Sequence, residues 1–532
     1  MEYQLVIGQL LNSGLTAAPA QRITHGDQIE MTYAEMGQRV ARLGSVLAGL
    51  GLRQGAVVAV MDYDSHRYLE CFFAIPMLGA TLHTVNVRLS PEQILYTINH
   101  AGDDAILVHE DFLPVLLPLL SRITRPVRLI LLADRACAVP EGFAGEYEAL
   151  LADAAAGFAF PDLPETTRAT LFYTTGTTGD PKGVTYSHRQ LVLHTLGVIA
   201  GLAPVPGRGG IKRDDVYMPL TPLFHVHGWG FPLVATMLGM RQVYPGRYEP
   251  GKLLGLIAQH GVTFSHCVPT ILAMLLAAEG ADQVDLSRWK VIIGGAALPE
   301  GLARAALARG IDLHAAYGMS ETCPVLTIAD MAGDGTVAVR IATGKAAPLV
   351  QLRIVDPDMR DVAHDGVAAG EVVARAPWLT AGYLRNPAGS AALWAGGWLR
   401  TGDVGTMAAD GTLRLTDRLK DVIKSGGEWI SSLELESIIS LVAGVVEVAA
   451  VGMPDPRWGE RPVVLVVAKA DVGGGDVRAA AHAAVDVAIA AGRLSKWAAP
   501  ERVVLVDAIP KTSVGKIDKK AIRAGLAAKM EK

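Results

Sequence analysis

Short apolar runs alternate with longer amphipathic segments over most of the chain. The apolar runs lie at 57–61, 105–109, 127–132, 170–173, 262–268 and 291–293. Segments at 33–50, 91–101 and 190–199 instead carry apolar residues at helical spacing. Apolar runs without polar alternation indicate strands covered on both faces, and strands alternating with helices indicate parallel pairing. We therefore predict a large N-terminal α/β domain with mostly parallel sheets.

The pattern changes after the Asp410-Gly411 turn signal. A charged segment at 414–421 is followed by predicted helices at 433–441 and 477–491 and by predicted strands at 446–451, 463–468 and 502–506. This order predicts a small, mobile α+β C-terminal domain of ordinary size. We place the large domain at 1–416, a hinge at 417–420 and the small domain at 421–532.

Composition and charge exclude some classes of partner. Hydrophobic residues make up 50% of the chain, and 48 basic against 53 acidic residues give a net charge of −5. No run of Lys or Arg exceeds two, so we expect no nucleic-acid partner. The uncharged segment at 216–240 is interrupted by Pro219, Pro222 and Pro232, so we predict a buried, winding segment and no integral membrane span.

The four cysteines are far apart and form no CxxC pair. Such sparse usage is typical of a reducing compartment, and no basic segment precedes the first apolar residues. We therefore expect a cytoplasmic protein without a secretory signal.

The strongest local signal is YTTGTTGDPKG at 173–183, directly after a predicted strand. Its threonines and glycines offer hydroxyl and backbone N–H groups without bulky side chains, and its lysine adds charge. Such a loop can surround polyphosphate oxygens closely. The spacing differs from that of a Walker A loop. A flexible surface loop is the alternative interpretation of the segment taken alone.

This segment resembles the signature of the acyl-adenylate-forming superfamily, which includes acyl-CoA synthetases, peptide-synthetase adenylation domains and firefly luciferase. Five further motifs of that superfamily follow in its order: PLFH at 222–225, YGMSET at 317–322, TGD at 401–403, DRLKD at 417–421 and PKTSVGK at 510–516. The resemblance implies an ATP-dependent acyl-CoA ligase that uses ATP, Mg²⁺ and coenzyme A. Such an enzyme forms acyl-AMP and pyrophosphate, then acyl-CoA and AMP.

The resemblance also assigns a nucleotide site. Its expected members are Thr174, Thr175, Gly176, Thr177, Thr178, Gly179, Lys182, Gly295, Ala296, Tyr317, Gly318, Thr322, Asp403 and Arg418. Tyr317 is expected to pack on the adenine ring, and Asp403 to accept the ribose hydroxyls. Glu321 resembles the magnesium ligand of the superfamily, and a hard carboxylate oxygen suits that metal. An ordinary acid at a helix start is the alternative for Glu321.

Lys516 is the expected catalytic lysine, which bridges the acid carboxylate and the α-phosphate during adenylation. The neighbouring Lys511, Lys519 and Lys520 are expected to be solvated surface charges. Lys420 matches the pivot about which the superfamily turns its small domain between the two half-reactions. A simple linker charge is the alternative for Lys420.

The acyl pocket is expected to draw on His225, Trp229, Gly230 and Gly294, and His225 joins Lys516 and Glu321 in the catalytic set. HVHGWG at 225–230 resembles medium-chain fatty acid–CoA ligases and ligases acting on methylthiopropionate. His227 is either a hydrogen-bonded core histidine or a pocket residue, and zinc is disfavoured because no third ligand lies near in sequence.

The acceptor is expected to be coenzyme A, because 424–430 resembles the fatty acyl-CoA ligase branch. The expected CoA residues are Ser425, Gly426, Gly427 and Glu428. We predict a short- to medium-chain fatty acid as substrate. The alternatives are a methylthio-, branched or aromatic acid, a separate carrier protein as acceptor, release of the adenylate, or a non-catalytic adenylate-binding module. Many relatives form homodimers, for which this sequence offers no independent argument.

Overall fold

The computed structural model describes residues 3–27, 29–174, 180–205, 210–331, 335–426, 428–469, 474–513 and 515–530. The α-helices are α1 Gly8–Ala17, α2 Tyr33–Gly49, α3 His66–Met77, α4 Pro91–Ala101, α5 Leu113–Leu116, α6 Tyr147–Asp153, α7 His188–Leu202, α8 Phe231–Leu238, α9 Pro250–His260, α10 Pro269–Leu276, α11 Glu300–Ala308, α12 Val337–Arg340, α13 Pro387–Leu393, α14 Ser432–Ile439, α15 Gly474–Ala490 and α16 Lys519–Met530.

The strands fall into four sheets. They are β1 Arg22–His25, β2 Ile29–Thr32, β3 Val57–Met61, β4 Thr81–Thr84, β5 Ala105–His109, β6 Arg128–Leu132, β7 Arg168–Thr174, β8 Lys182–Ser187, β9 Val216–Leu220, β10 Arg241–Tyr244, β11 Phe264–Cys267, β12 Lys290–Ile293, β13 Asp312–Gly318, β14 Val325–Ile328, β15 Lys345–Ala346, β16 Gln351–Val355, β17 Ala369–Arg375, β18 Trp394–Ala395, β19 Trp398–Met407, β20 Leu413–Arg418, β21 Ile423–Ser425, β22 Glu428–Ile430, β23 Val445–Asp455, β24 Gly459–Ala468 and β25 Arg502–Leu505.

The first sheet has the strand order β6-β5-β3-β4-β7-β8, and its pairs are parallel except for β7 with β8. Every residue of β3 and β5 is buried, as their continuous apolar character predicts. Helix α4 begins at a capping box in which Ser90 and Gln93 exchange hydrogen bonds. The loops after β4 and β7 leave the same edge of the sheet because these two strands are parallel neighbours.

The second sheet, β15-β14-β13-β12-β11-β9-β10-β1-β2, is parallel through its centre and antiparallel at both ends. The winding segment at 216–240 comprises β9, α8 and the rest of the connection to β10, and every residue in it is buried or half-buried. This burial confirms the interpretation of that segment. Among the residues that the structure describes, no helix combines the length and apolar character that crossing a membrane requires.

A third, antiparallel sheet follows in the order β16-β17-β19-β18, with β20 paired to β19. Its register places Asp403 opposite Arg418. The predicted hinge at 417–420 therefore falls at the end of β20.

The strands from β21 onward belong to the smaller domain, whose β22-β21-β24-β23 sheet is antiparallel, with β25 added in parallel to β24. Two apolar clusters, one around Val464 and one around Val463, lie on its two faces and contain only residues of this domain. The predicted helices and strands of this part of the chain are all present within a few residues of their predicted bounds. The predicted fold class is confirmed.

Candidate active site

The turn between β9 and α8 has an unusual backbone. Residues 226–230 have φ values of +48°, +58°, +56°, +58° and +75°, which form a left-handed turn. For residues with a Cβ this conformation costs roughly 1–2 kcal/mol each. Burial of the Val226, His227 and Trp229 side chains offsets that cost. His227 also shares a hydrogen bond with Thr170 Oγ1 through its Nε2 atom (2.8 Å), so it is a core histidine.

The indole of Trp229 lies beside Gly294 and Gly295, the two glycines that follow β12. A Cβ built on Gly294 would lie 3.2 Å from Cη2 of Trp229 and 3.0 Å from the carbonyl oxygen of Ala316. Gly295 has φ of +78°, which favours glycine. A Cβ on Gly230 would lie 2.9 Å from the ring of His194. The structure thus brings Trp229 together with Gly294.

Lys516, which belongs to the small domain, approaches Gly295 of the large domain. Its Cε atom lies 3.2 Å from the Cβ position of Gly295. Two hydrogen bonds shape its loop, from Thr512 N to the Lys516 carbonyl (2.7 Å) and from Lys516 N to Thr512 Oγ1 (3.2 Å). Burial and then the neighbouring Arg418 lower the pKa of Lys516 to about 8, against the opposing effect of Asp403 and Glu321. The ammonium group is therefore within electrostatic reach of three predicted site residues.

Asp403 lies in a buried position with two polar neighbours. The phenol of Tyr317 donates to its Oδ2 atom (2.7 Å), and Arg418 Nε lies 3.3 Å from its Oδ1 atom. Burial raises the pKa of Asp403, although Arg418 acts in the opposite direction. Its main-chain N–H donates to Thr401 Oγ1 (3.1 Å) within β19. A carboxylate oriented in this way can accept hydrogen bonds from hydroxyl groups.

Glu321 lies in a buried 3₁₀ turn at 320–322. The phenol of Tyr383 donates to Glu321 Oε1 (2.7 Å), and Thr380 N donates to the Glu321 carbonyl (3.0 Å). Lys182 Nζ lies 4.9 Å from the ring centroid of Tyr383, a cation–π contact. Sequence reasoning missed Tyr383, because no motif surrounds it.

A magnesium ion fits this carboxylate only together with phosphate oxygens. Mg²⁺ is usually held by one or two carboxylates plus substrate phosphates. Within the described ranges, no group of three or more His, Cys, Asp or Glu side chains is arranged to hold a metal ion. Glu321 is therefore suited to a shared metal rather than to a cage made only of protein ligands.

Among the remaining predicted nucleotide residues, those that the structure describes lie near these groups in the fold. Thr174 ends β7 and pairs with Lys182 at the start of β8. Gly318 permits a close backbone approach, because a Cβ there would lie 1.6 Å from the Pro324 carbonyl oxygen. Thr322 Oγ1 accepts a hydrogen bond from Met319 N (3.0 Å). Ala296 follows the Gly294 and Gly295 pair. Residues 175–179 and Gly427 lie outside the described residues.

His225 is half-buried at the entrance to the left-handed turn. Burial, followed by the charges of Lys516 and Arg88, lowers the pKa of His225 to about 3. The imidazole is therefore neutral at physiological pH.

The predicted coenzyme A residues that the structure describes lie on the hairpin formed by β21 and β22. Gly426 has φ of +60°, its N–H donates to the Trp458 carbonyl (3.0 Å), and a Cβ there would press against the Trp497 ring. Ser425 is buried and Glu428 is exposed. These contacts lie within the small domain, whereas Lys516 contacts the large one.

One expectation about surface charge is wrong. Lys519 is not solvated: its side chain is 11% exposed, its Nζ atom lies 2.9 Å from Glu436 Oε1, and it also bonds to Ser432 Oγ. Lys519 begins α16, which packs on β23, so tertiary packing buries the charge beside its partner. Lys511 is 37% exposed and pairs with Glu447 at 2.6 Å, and Lys520 is exposed.

Joining a carboxylate to a nucleotide α-phosphate brings two anions together, and the chemistry depends on positioning and charge neutralisation. The cation of Lys516, delivered by one domain to the carboxylates and glycines of the other, suits that requirement. Fold and site together define an adenylate-forming ligase.

Comparison with known proteins gives the family. Residues 15–384 match the family model of AMP-binding enzymes, and residues 434–516 match that of the AMP-binding enzyme C-terminal domain. The chain belongs to the AMP-binding enzyme family.

Two relatives agree with this assignment, and a solved structure shares the fold. The long-chain-fatty-acid–CoA ligase of Thermus thermophilus is 37% identical, over 94% of this chain and 91% of that one. The 3-methylmercaptopropionyl-CoA ligase of Ruegeria pomeroyi is 38% identical, over 94% and 92%. The anthranilate CoA ligase AuaEII, solved with anthranoyl-AMP, shares the fold with a TM-score of 0.89, 24% identity and 99% coverage of both chains. This chain is an AMP-forming acid–thiol ligase, and the interpretation as a non-catalytic module is set aside.

Proposed function

We propose that the protein converts a short- to medium-chain fatty acid into its coenzyme A thioester, with Lys516, Glu321 and His225 in the reacting site. The observation that carries the proposal is the approach of Lys516 Cε to within 3.2 Å of the Gly295 Cβ position, in the field of Asp403 and Glu321.

In the first half-reaction a carboxylate oxygen of the acid attacks the α-phosphorus of ATP. The bond from that phosphorus to the bridging oxygen breaks, and pyrophosphate leaves with the electron pair. The protonated Lys516 neutralises charge on the carboxylate and the α-phosphate, Tyr317 and Asp403 hold the nucleoside, and Arg418 lies beside Asp403. Mg²⁺ held by Glu321 would supply further neutralisation of the phosphate charge.

In the second half-reaction the coenzyme A thiol loses its proton to solvent and its sulfur attacks the acyl carbonyl carbon. The bond from that carbon to the phosphate oxygen breaks, and AMP leaves with the electron pair. The small domain turns about Lys420, at a boundary that we place at 417–420. The rotation withdraws Lys516 and presents the face that carries Ser425, Gly426, Gly427 and Glu428. The alternative of adenylate release would not need this face, because it has no thiol acceptor.

The acid pocket supports a limited chain length. Each buried CH₂ group contributes about 0.8 kcal/mol to binding, and the indole of Trp229 occupies space against Gly294. One of the two relatives compared is named for 3-methylmercaptopropionyl-CoA, so a methylthio acid is the second candidate. The other relative is named for long-chain fatty acids. A homodimer remains a prediction from the family resemblance, and a cytoplasmic location remains a prediction from cysteine usage.

An assay of ATP- and coenzyme A-dependent thioester formation tests the substrate. We expect a maximum of kcat/KM among short- and medium-chain straight acids, with thioether, branched and aromatic acids as comparison. Equal activity across all chain lengths would contradict the proposed preference, and a maximum on a thioether acid would select the second candidate.

Lys516→Ala ties the activity to this site. Acid-dependent exchange of pyrophosphate into ATP should be abolished, because the cation acts in adenylation. Conversion of supplied acyl-AMP and coenzyme A to thioester should be far less affected. Equal loss in both half-reactions would contradict the role of Lys516.

A further inference from the structure

Helix α11, which follows the loop of Gly294 and Gly295, begins directly against the small domain. The main-chain N–H of Gly301 donates to Ser440 Oγ (3.2 Å). A Cβ on Gly301 would lie 2.3 Å from the Ser440 carbonyl oxygen and 3.0 Å from its carbonyl carbon. A side chain at position 301 is therefore incompatible with the observed approach of the two domains.

The same contact completes the start of the helix. First-turn N–H groups of a helix lack partners within the helix, and the N-cap residue Pro299 offers no side-chain hydrogen bond. Ser440 Oγ, in the other domain, accepts a hydrogen bond from one of these groups, the N–H of Gly301. When the domains separate, water can replace Ser440, so the contact can form and break at low cost.

A second contact holds the loop that carries Lys516. Asn86 Nδ2 donates to Ser513 Oγ (3.1 Å), and Arg88 Nη1 lies 3.4 Å from the Ser513 carbonyl. Thr270 Oγ1 donates to the Gly515 carbonyl (2.9 Å). The loop is thus held just before Lys516, from the edge of the first sheet through Ser513 and from the start of α10 through Gly515.

We infer that Gly301, Asn86 and Thr270 are positioning residues for adenylation, which hold the small domain in the one arrangement that delivers Lys516. Gly301 acts through its missing side chain, and Asn86 and Thr270 act through hydrogen bonds to the loop. This inference rests on the proposed function, because it requires Lys516 to serve the first half-reaction and the domain to leave this arrangement for the second.

Gly301→Ala is a sharp test because local and interdomain effects have opposite signs. Alanine favours a helix over glycine, so the thermal midpoint should stay constant or rise. The clash with Ser440 should nevertheless lower acid-dependent pyrophosphate exchange about tenfold, since overpacking of this kind is costly. Thioester formation from supplied acyl-AMP should be unchanged or faster. Gly301→Val should lower exchange further.

Gly255→Ala is the matched control. Gly255 lies within α9 of the same domain, and a Cβ there would meet no atom within 4 Å. Both half-reactions should keep their wild-type rates in this variant.

Removal of single hydrogen bonds tests the second contact. Thr270→Val and Ser513→Ala should each lower pyrophosphate exchange about threefold to tenfold, the range of one ordinary hydrogen bond. Neither variant should slow the conversion of supplied acyl-AMP.

Equal slowing of both half-reactions in Gly301→Ala, or wild-type exchange in Gly301→Val, would overturn the inference. These results differ from failure of the proposed function. If Lys516→Ala retained pyrophosphate exchange, the proposed function would fail whatever Gly301 did. If Lys516→Ala lost exchange while Gly301→Val kept it, only the inference would fail.

Discussion

Lys516 is a lysine whose surroundings weaken its hold on its proton. Removal from water is the largest cause, and the positive charge of Arg418 adds to it, which lowers the pKa to about 8. The nearby carboxylates of Asp403 and Glu321 prevent a larger decrease. In the free enzyme this lysine therefore changes between its charged and neutral forms at a pH of about 8.

This position predicts an alkaline limit to adenylation. Only the protonated ammonium neutralises charge, and it predominates below its pKa, so kcat/KM for ATP in pyrophosphate exchange should fall as pH rises through about 8. In Lys516→Arg the guanidinium stays charged, so whatever activity remains should lack this decline. Identical alkaline declines in the two proteins would contradict the assignment.

At the scale of elements, the left-handed turn that carries Trp229 is held from the first sheet. Asp64 follows β3, its Oδ1 atom accepts from Leu223 N (2.8 Å), and its Oδ2 atom accepts from the Tyr248 phenol (2.6 Å). Burial raises the pKa of Asp64 to about 7. The buried carboxylate of Asp64, just after β3, thus joins Leu223, just before the left-handed turn, to Tyr248, which follows β10.

Replacement of Asp64 should act on the acid more than on the nucleotide. Asp64→Ala leaves a buried N–H and a buried hydroxyl unpaired, at about 1–3 kcal/mol each. We expect a lower thermal midpoint and a severalfold rise in KM for the acid, with a smaller change in KM for ATP. Asp64→Asn keeps an acceptor for Leu223 N and should be milder.

Tyr248→Phe is the control, because it removes only the phenol hydrogen bond. An equal rise in both KM values for Asp64→Ala would show that Asp64 supports the whole domain rather than the pocket.

At the scale of the molecule, the two domains have separate apolar cores. The clusters of the small domain contain residues from 423 onward, and those of the large domain contain residues up to 415. Contacts between the domains include the hydrogen bonds and close approaches around Lys516 and Gly301, and a hydrogen bond from Ser431 Oγ to the Thr416 carbonyl (2.5 Å) at the domain boundary. The domains are therefore expected to unfold as separate units.

Lys519 and Lys511 form a matched pair for testing this expectation. Lys519→Met leaves Glu436 buried without its partner, which should cost about 3–5 kcal/mol and destabilise the small domain alone. Lys511→Met removes a more exposed pair worth about 0–1 kcal/mol. Hydrogen exchange measured for each domain during denaturation should show this difference. Equal shifts for the two variants would contradict the buried role of Lys519.

The sequence by itself determined several of the elements and the family. β3, β5 and α4 have their predicted bounds, because buried parallel strands need continuous apolar runs and a capping box marks a helix start. The ordered motifs indicated Lys516, Asp403 and Glu321 as site residues. Such motifs and apolar runs consist of residues that are neighbours in the sequence, so they can be recognised without knowledge of the fold.

Tertiary structure alone decided which other residues serve these groups. Tyr383 meets Glu321 across 62 positions, Gly301 meets Ser440 across 139, and Asn86 meets Ser513 across 427. The burial of Lys519 likewise follows from the packing of α16. Such contacts leave no periodicity in the sequence, because the partners become neighbours only when the sheets and the two domains pack together.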